Sequence, residues 1–271
     1  MEEPVLINRR RPEALRSLQN PLLKDVRKAV GRGDLTSHGY AVAEGFHLLE
    51  EALRSDREVE CVIASDSVWP AVARHVRRLA GVRVCTVADK LFAQVASTET
   101  SQGVIALVRP VAWSFEELLR GRSMVVVLDA IQDPGNAGAI VRAAEAFGAT
   151  GCVFLRGTVS PHNPKALRAS AGSLFRLPYV YGAEPDLVRA AFEQNQLDIY
   201  AAAPRDGKLL SDVNLRRKFA IVLGSEGRGV SEVFRASATP LSIPTTGVES
   251  LNVALSAGII LYEASRQRVL R

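Results

Sequence analysis

Cysteine is scarce in this chain of 271 residues. Cys61, Cys85 and Cys152 are an odd number with no Cys-x-x-Cys spacing, which argues against a disulfide framework and a zinc site. Each lies in an apolar run, so a small buried hydrophobe is the expected role. The four histidines, His38, His47, His75 and His162, lack any metal-ligand spacing, and no metal is expected. No apolar stretch reaches the roughly 18 residues that span a bilayer, and the first 30 residues contain acids and scattered arginines instead of a signal-peptide core. A cytoplasmic protein is expected, with no membrane partner. The patterns Gly-x-Gly-x-x-Gly and Gly-x-x-x-x-Gly-Lys-[Ser/Thr] are both missing, which leaves a dinucleotide fingerprint and a P-loop unsupported. There is no internal repeat and no low-complexity tract.

What is present is a globular composition, 47% hydrophobic and 23% charged, which excludes disorder and collagen-like sequence. At roughly 150 residues per domain the length predicts two domains. Residues 1–109 read as a small α/β domain. Asn20-Pro21 supplies a cap and a first helical residue, and Tyr40 to Ala43, Val59 to Ala64, Val82 to Val87 and Gly103 to Val108 are strand-like. Helical patterns run from Phe46, from Pro70 to Leu79, and from Asp89 to Val95. Residues 110–122 read as a linker, and residues 123–271 as a second α/β domain. Met124 to Asp129, Gly151 to Leu155, Asp198 to Ala203, Phe219 to Leu223 and Leu241 to Ile243 are buried-strand candidates. Helices are expected over Asn136 to Phe147, Pro164 to Leu174, Pro185 to Asn195, and Ser250 to about Arg268. This alternation predicts a parallel sheet covered on both faces.

The net charge of +5 decides little, but its placement is uneven. No acid occurs between Ala146 and Ala183, where Arg156, Lys165, Arg168 and Arg176 stand. A second basic stretch, Arg9 to Arg32, includes Arg9, Arg10 and Arg11 and carries eight cations against Glu13 and Asp25. Both are candidate contacts for the phosphates of a polyanion, with an ordinary solvated surface as the plain alternative.

Three segments of the second domain carry candidate chemistry. In LDAIQDPGNAGAIVR a strand empties into a turn, then a helix that Asn136 is placed to cap and that bears Arg142. In FAIVLGSEGRG a strand ends in Gly224, Gly227 and Gly229, beside Ser225 and Glu226, where backbone can approach a ligand closely. In LSIPTTGVESLNVAL, polar Glu249, Ser250 and Asn252 interrupt an apolar run, with Ser250 a candidate cap. Taken singly, a cap, a surface arginine and a glycine turn are all ordinary structure.

Taken together, in this order and spacing, they resemble the SpoU (TrmH-like) family of RNA 2′-O-ribose methyltransferases, of the SPOUT superfamily. Asn136, Gly138 and Arg142 match its first motif. Gly224, Glu226 and Gly229 match the second. Ile243, Pro244 and Ser250-Leu251-Asn252-Val253 match the third. Val42-Ala43-Glu44-Gly45 with Leu48, Leu49, Glu51 and Ala52, and Ser97 to Val108, resemble the family's substrate-binding domain, which is similar to ribosomal protein L30e. Ser101 stands where that domain usually has proline. The resemblance covers about residues 10 to 268.

The resemblance implies an α/β fold with a parallel-sheet catalytic domain tied in a deep trefoil knot, a topology otherwise all but absent from proteins. It implies S-adenosylmethionine as cofactor, held largely by backbone at Leu223, Gly224, Gly227, Ile243 and Leu251. It assigns catalysis to Arg142, with Asn136, Glu226, Ser250 and Asn252 orienting it and the ribose. It also implies a homodimer through the second domain, with which the apolar run Leu251 to Tyr262 is compatible. The substrate it points to is large-subunit rRNA. The alternatives are tRNA, or a non-catalytic RNA-binding assembly factor of the same fold. A nucleotide-dependent oxidoreductase lacks its fingerprint.

Overall fold

The computed structural model describes residues 12–76, 82–225 and 227–269. Arg9, Arg10, Arg11, Glu226 and the end of the helix expected over Pro70 to Leu79 lie outside them. The chain divides into two compact units, one of Met1–Val111 with His162–Phe175, the other of Ala112–Pro161 with Arg176–Arg271.

The first unit runs β1 (Glu13–Leu15), α1 (Pro21–Arg32), β2 (Ala41–Glu44), α2 (Phe46–Arg54), β3 (Val59–Ser65), α3 (Trp69–Val76), β4 (Arg83–Val87), α4 (Asp89–Phe92) and β5 (Val104–Val108). Its sheet has the order β1-β4-β3-β5-β2, parallel among β1, β4 and β3 and antiparallel at β5. Asn20 caps α1 as its sequence suggests, its side chain accepting from Leu22 N at 2.9 Å with Pro21 in the first turn. Leu23, Val26 and Ala29 then face a core shared with Val42, Ile63 and Ile105. Cys61 and Cys85 are buried free thiols in the same core.

The second unit contains α5 (Phe115–Leu118), β6 (Met124–Asp129), α6 (Pro134–Ala146) and β7 (Gly151–Leu155). After α7 (Pro164–Ser170), which belongs to the first unit, come β8 (Tyr179–Ala183), α8 (Pro185–Gln194), β9 (Asp198–Ala202), β10 (Lys208–Leu209), β11 (Phe219–Gly224), α9 (Glu232–Ser237), β12 (Thr239–Ser242) and α10 (Val253–Val269). Its seven strands take the order β10-β12-β9-β11-β6-β7-β8, every pair parallel. The continuous apolar runs of β6 and β11 lie at its centre, paired from Phe219 with Met124 to Gly224 with Asp129, because only strands covered on both faces bury every side chain.

Several expectations need correction. The segment 110–122 divides between the units, Ala112 onward belonging to the second: its short helix is closed by a capping box of Ser114 and Glu117, and Leu118 is fully buried in that unit's core. The helix at Pro164 stops at Ser170 rather than Leu174, because Ala171 and Gly172 both turn left-handed. A side chain at Gly172 would meet Glu51 Cβ at 2.7 Å, so the tight turn lets this segment pack within the first unit. The short elements β1, β8, β10 and α9 carry too few periodic residues to be legible beforehand.

Candidate active site

The first motif is built by a different residue from the one expected. Asp133, not Asn136, caps α6, its carboxylate accepting from Asn136 N at 2.8 Å with Pro134 as first helical residue. This frees the Asn136 side chain, whose Oδ1 accepts from Asn252 Nδ2 at 3.1 Å across 116 residues of sequence. Arg142 lies further along α6, exposed, with no hydrogen-bond or ion-pair partner among the described residues. At helical spacing it stands about 9 Å along the axis from Asn136 and about 120° around it.

The second motif folds back on its own strand. Gly229 N donates to Ser225 O at 2.8 Å, Gly229 has φ +67°, and the two residues form a bridge. Gly224 lies directly beneath: a Cβ there would sit 2.2 Å from the Gly229 carbonyl carbon, so no side chain is tolerated. Below the turn, Asp129 is buried at the end of β6 and accepts from Ser231 N at 2.6 Å, which ties the end of this loop to the central strand.

The third motif also moves its cap. Ser250 does not cap the last helix, which begins at Val253. Asn252 Oδ1 accepts from Ala254 N at 2.9 Å and Leu255 N at 3.2 Å. One Asn252 side chain therefore ends a loop, starts α10 and holds Asn136. Small residues on both helices, Ala137 and Gly138 of α6 and Ala257 and Ala264 of α10, are buried, and the two helices pack closely.

Between these loops, at the carboxyl ends of the strands, lies a cleft of about 350 Å³, within the range of roughly 300–1,000 Å³ usual for small-molecule sites. Gly224, Gly227, Ile243 and Leu251 line it, and so does Ser250. Leu223 does not; its side chain is fully buried in the sheet. Arg142 is likewise not part of the lining. Glu249, singled out beside Ser250 in the sequence, lines the cleft too, whereas sequence reasoning missed Ala202 to Pro204, Thr245 and Ser256, which also line it. The run of alanines ending in a proline after β9 was the available signal, since small residues at a strand's carboxyl end leave room for a ligand. The lining is mostly backbone and small side chains with a few hydroxyls, which suits a flat, polar, neutral-to-cationic molecule better than a polyphosphate: among the described residues no lysine or arginine lines it.

The cations chosen from the acid-free stretch have partners. Arg156 pairs with Glu184 at 2.7 Å and Arg176 with Glu145 at 2.6 Å, the two acids that bracket the stretch in sequence. Arg168 lies 3.7 Å from Glu44 and donates to Ser97 Oγ, and Lys165 is also engaged. Burial pushes the Glu44 carboxyl up, but the hydroxyls of Ser101, Ser97 and Thr98 outweigh it and hold the group below the usual carboxylate range. The buried charge is thus retained and Arg168 answers it.

Comparison with known proteins agrees with this geometry. The sequence profile of the SpoU rRNA Methylase family matches residues 123–262, and that of an MRM3-like substrate binding domain matches residues 20–106. The chain is 32% identical over 263 residues to an uncharacterized tRNA/rRNA methyltransferase of Synechocystis, covering 94% of each. It is 31% identical to the 23S rRNA (guanosine(2553)-2′-O)-methyltransferase RlmP of Bacillus subtilis, covering 92% of this chain and 97% of that one. Its structure is similar to that of the SpoU methyltransferase AviRb of Streptomyces viridochromogenes in complex with AdoMet, with TM-score 0.81 at 26% identity, covering 92% and 99%.

Proposed function

The chain belongs to the SpoU rRNA Methylase family, and from that footing we propose that it methylates a ribose 2′-hydroxyl of large-subunit (23S) rRNA, using S-adenosylmethionine. The observation that carries this reading is that the second and third motifs line one cleft and that the Asn136–Asn252 hydrogen bond ties the first motif to the third.

The cofactor supplies an electrophilic methyl group on a sulfonium. Gly224 and Gly227 of the glycine turn, with Ile243 and Leu251, would hold it largely through backbone groups. The ribose hydroxyl is a weak nucleophile: its proton would pass to a phosphate oxygen of the RNA or to solvent as its oxygen displaced the sulfonium sulfur from the methyl group, and a nearby cation would stabilise the alkoxide character of that oxygen. Arg142 serves by electrostatic stabilisation, since guanidinium holds its proton too firmly to be a base. With no partner among the described residues, it can meet an anionic centre brought by the RNA. Asn136 and Asn252 are held by each other and orient the ribose, with Ser250 on the cleft wall. Glu226 completes this set from the second motif.

Two copies pair through α10 in this reading, and the enzyme works in the cytoplasm. Leu255 and Tyr262 of α10 are more than half exposed, one face of a helix whose other side is buried, and Phe147 packs edge-on against Tyr262 at 5.8 Å. The same reading ties the loops at 224–230 and 243–252 in a trefoil knot. β12 lies outside β9, so the chain must return across the strand ends from there to α10, which packs on α6.

The test is transfer of a tritiated methyl from S-adenosylmethionine to purified 23S rRNA and, separately, to tRNA, followed by alkaline hydrolysis. Label in an alkali-resistant dinucleotide of 23S rRNA is expected, because a 2′-O-methyl blocks cleavage. Label in tRNA alone would move the substrate, and cofactor binding without transfer to either RNA would leave an assembly factor.

A further inference from the structure

The first unit contains a cleft of about 710 Å³, larger than the cleft of the second unit, and no residue of the three motifs lines it. One wall is α1. Lys24, Lys28 and Arg32 stand on it at intervals of four, a spacing that lines side chains along one helix face about 6 Å apart. All three line the cleft and are exposed. Across from them stand Tyr40 and Arg83. Tyr40 is fixed in place by Arg109, whose guanidinium lies 4.5 Å over the ring and donates to the hydroxyl.

The charge of this wall is unanswered. Among the described residues, the side chains of Arg16, Lys24, Arg27 and Lys28 have no hydrogen-bond or ion-pair partner, and Arg32 donates only to the Leu35 carbonyl, at 2.9 Å. Two acids line the cleft. Asp25, on α1 itself, turns its carboxylate to Ser37, accepting from the amide and the hydroxyl at 2.8 Å each. Glu60 stands exposed on the far wall with Arg83, which pairs with Glu13 at 2.7 Å. The lysines of α1 are left facing solvent. Every large, strongly exposed apolar side chain among the described residues lies in the second unit, between Tyr181 and Val269. An apolar protein partner has nothing to grip on the first unit, whereas a polyanion has a row of free cations beside an open trough.

We propose that the α1 face formed by Lys24, Lys28 and Arg32, with the trough it walls, docks the phosphate backbone of the RNA that this enzyme methylates. The inference rests on the reading above that RNA is the substrate. It names a surface of the first unit by which the chain grips that RNA. Contacts to phosphate confer affinity and register without reading sequence. The sequence continues this charge immediately upstream, with Arg9, Arg10 and Arg11.

The experiment uses the full chain, a 23S rRNA fragment and filter binding over a range of salt concentrations, with S-adenosylmethionine binding measured by calorimetry. The variant Lys24→Gln/Lys28→Gln/Arg32→Gln is compared with Lys24→Arg/Lys28→Arg/Arg32→Lys, which keeps the charge. The neutral variant should bind RNA at least tenfold more weakly near 0.1 M salt, and its slope of log affinity against log salt should flatten by about 2, for three lost single-strand contacts at roughly 0.7 each. The charge-keeping variant should bind like the unmodified chain, and cofactor affinity should not change in either. An unmodified chain that binds RNA while the neutral variant matches it in affinity and slope would overturn this inference alone. An unmodified chain with no affinity for any RNA would overturn this inference and the proposed function together.

Discussion

Two basic stretches of this chain, 9–32 and 146–183, look alike in composition and differ in what their charges do. In the second, Arg156, Arg168 and Arg176 each meet a carboxylate, two of them from the residues that bracket the stretch and one from β2. In the first, the four cations from Arg16 to Lys28 meet none among the described residues, and the acid that interrupts them is held by Ser37. Freedom from acids along the sequence is thus no measure of freedom from acids in space, because a fold brings remote carboxylates within a few ångströms. Cations that a fold already neutralises contribute to structure, and those it leaves unanswered are available to a ligand. Arg142 belongs with the second kind.

The largest effect expected from this contrast is at Arg142. Arg142→Ala should lower kcat for methyl transfer by about 10² or more, the usual loss on removing one group that stabilises developing charge. It should leave S-adenosylmethionine affinity unchanged in calorimetry and the melting temperature within error. A variant with near-normal turnover would break the assignment of unpartnered cations to function.

Next comes Arg168. Glu44 is only 4% exposed and keeps its charge, so Arg168→Ala strips a partner from a buried carboxylate. The expected cost is about 1–3 kcal/mol in urea unfolding, with RNA affinity unaltered. Adding Glu44→Gln should recover part of it, and strict additivity of the two changes would show that the pair is not coupled.

A smaller effect is expected at His162, in the same segment as Arg168. Burial holds this imidazole below its ordinary value of 6.5, with Asp34 at 3.5 Å opposing the shift. A lowered folded value means the unfolded chain takes up the proton first. The contribution to stability is therefore present above pH 6.5 and is lost as pH falls through the folded value. Melting temperatures at pH 7.5 and 5.5 should differ more for the native chain than for His162→Gln, and an equal difference in both would assign the pH dependence elsewhere.

The smallest effect is expected for Arg156→Gln. Its pair with Glu184 is exposed on both sides, and such pairs contribute little. Neither the melting temperature nor RNA affinity should move. A marked loss of RNA binding would show that an ion-paired cation can still exchange its partner for phosphate, and would blur the contrast between the two stretches.

The sequence was a good guide to the centre of each sheet and a poor one to its edges. Met124–Asp129 and Phe219–Gly224 were legible because strands buried on both faces must be apolar throughout. β1, β8 and β10 are short or edge strands that bury at most one side chain each, so no pattern marked them. At the site, motif spacing located Asn136, Ser250 and Asn252 but misread two caps. Asp133 and Asn136 are both good capping residues three positions apart, and only the backbone at the strand's exit selects between them.

By itself the sequence determined the division into two α/β parts, the parallel order implied by apolar strands alternating with helices, and the three motifs whose order and spacing carry the family. Those are properties of local pattern, because periodicity, glycine and proline act within a few residues. Tertiary structure alone decided that residues 162–175 pack with the first unit, that Asn136 and Asn252 meet across 116 residues, and which arginines already have acids. Each of these depends on pairs distant in the chain, and the energy of a pair is fixed by separation in space, to which no composition along the chain refers.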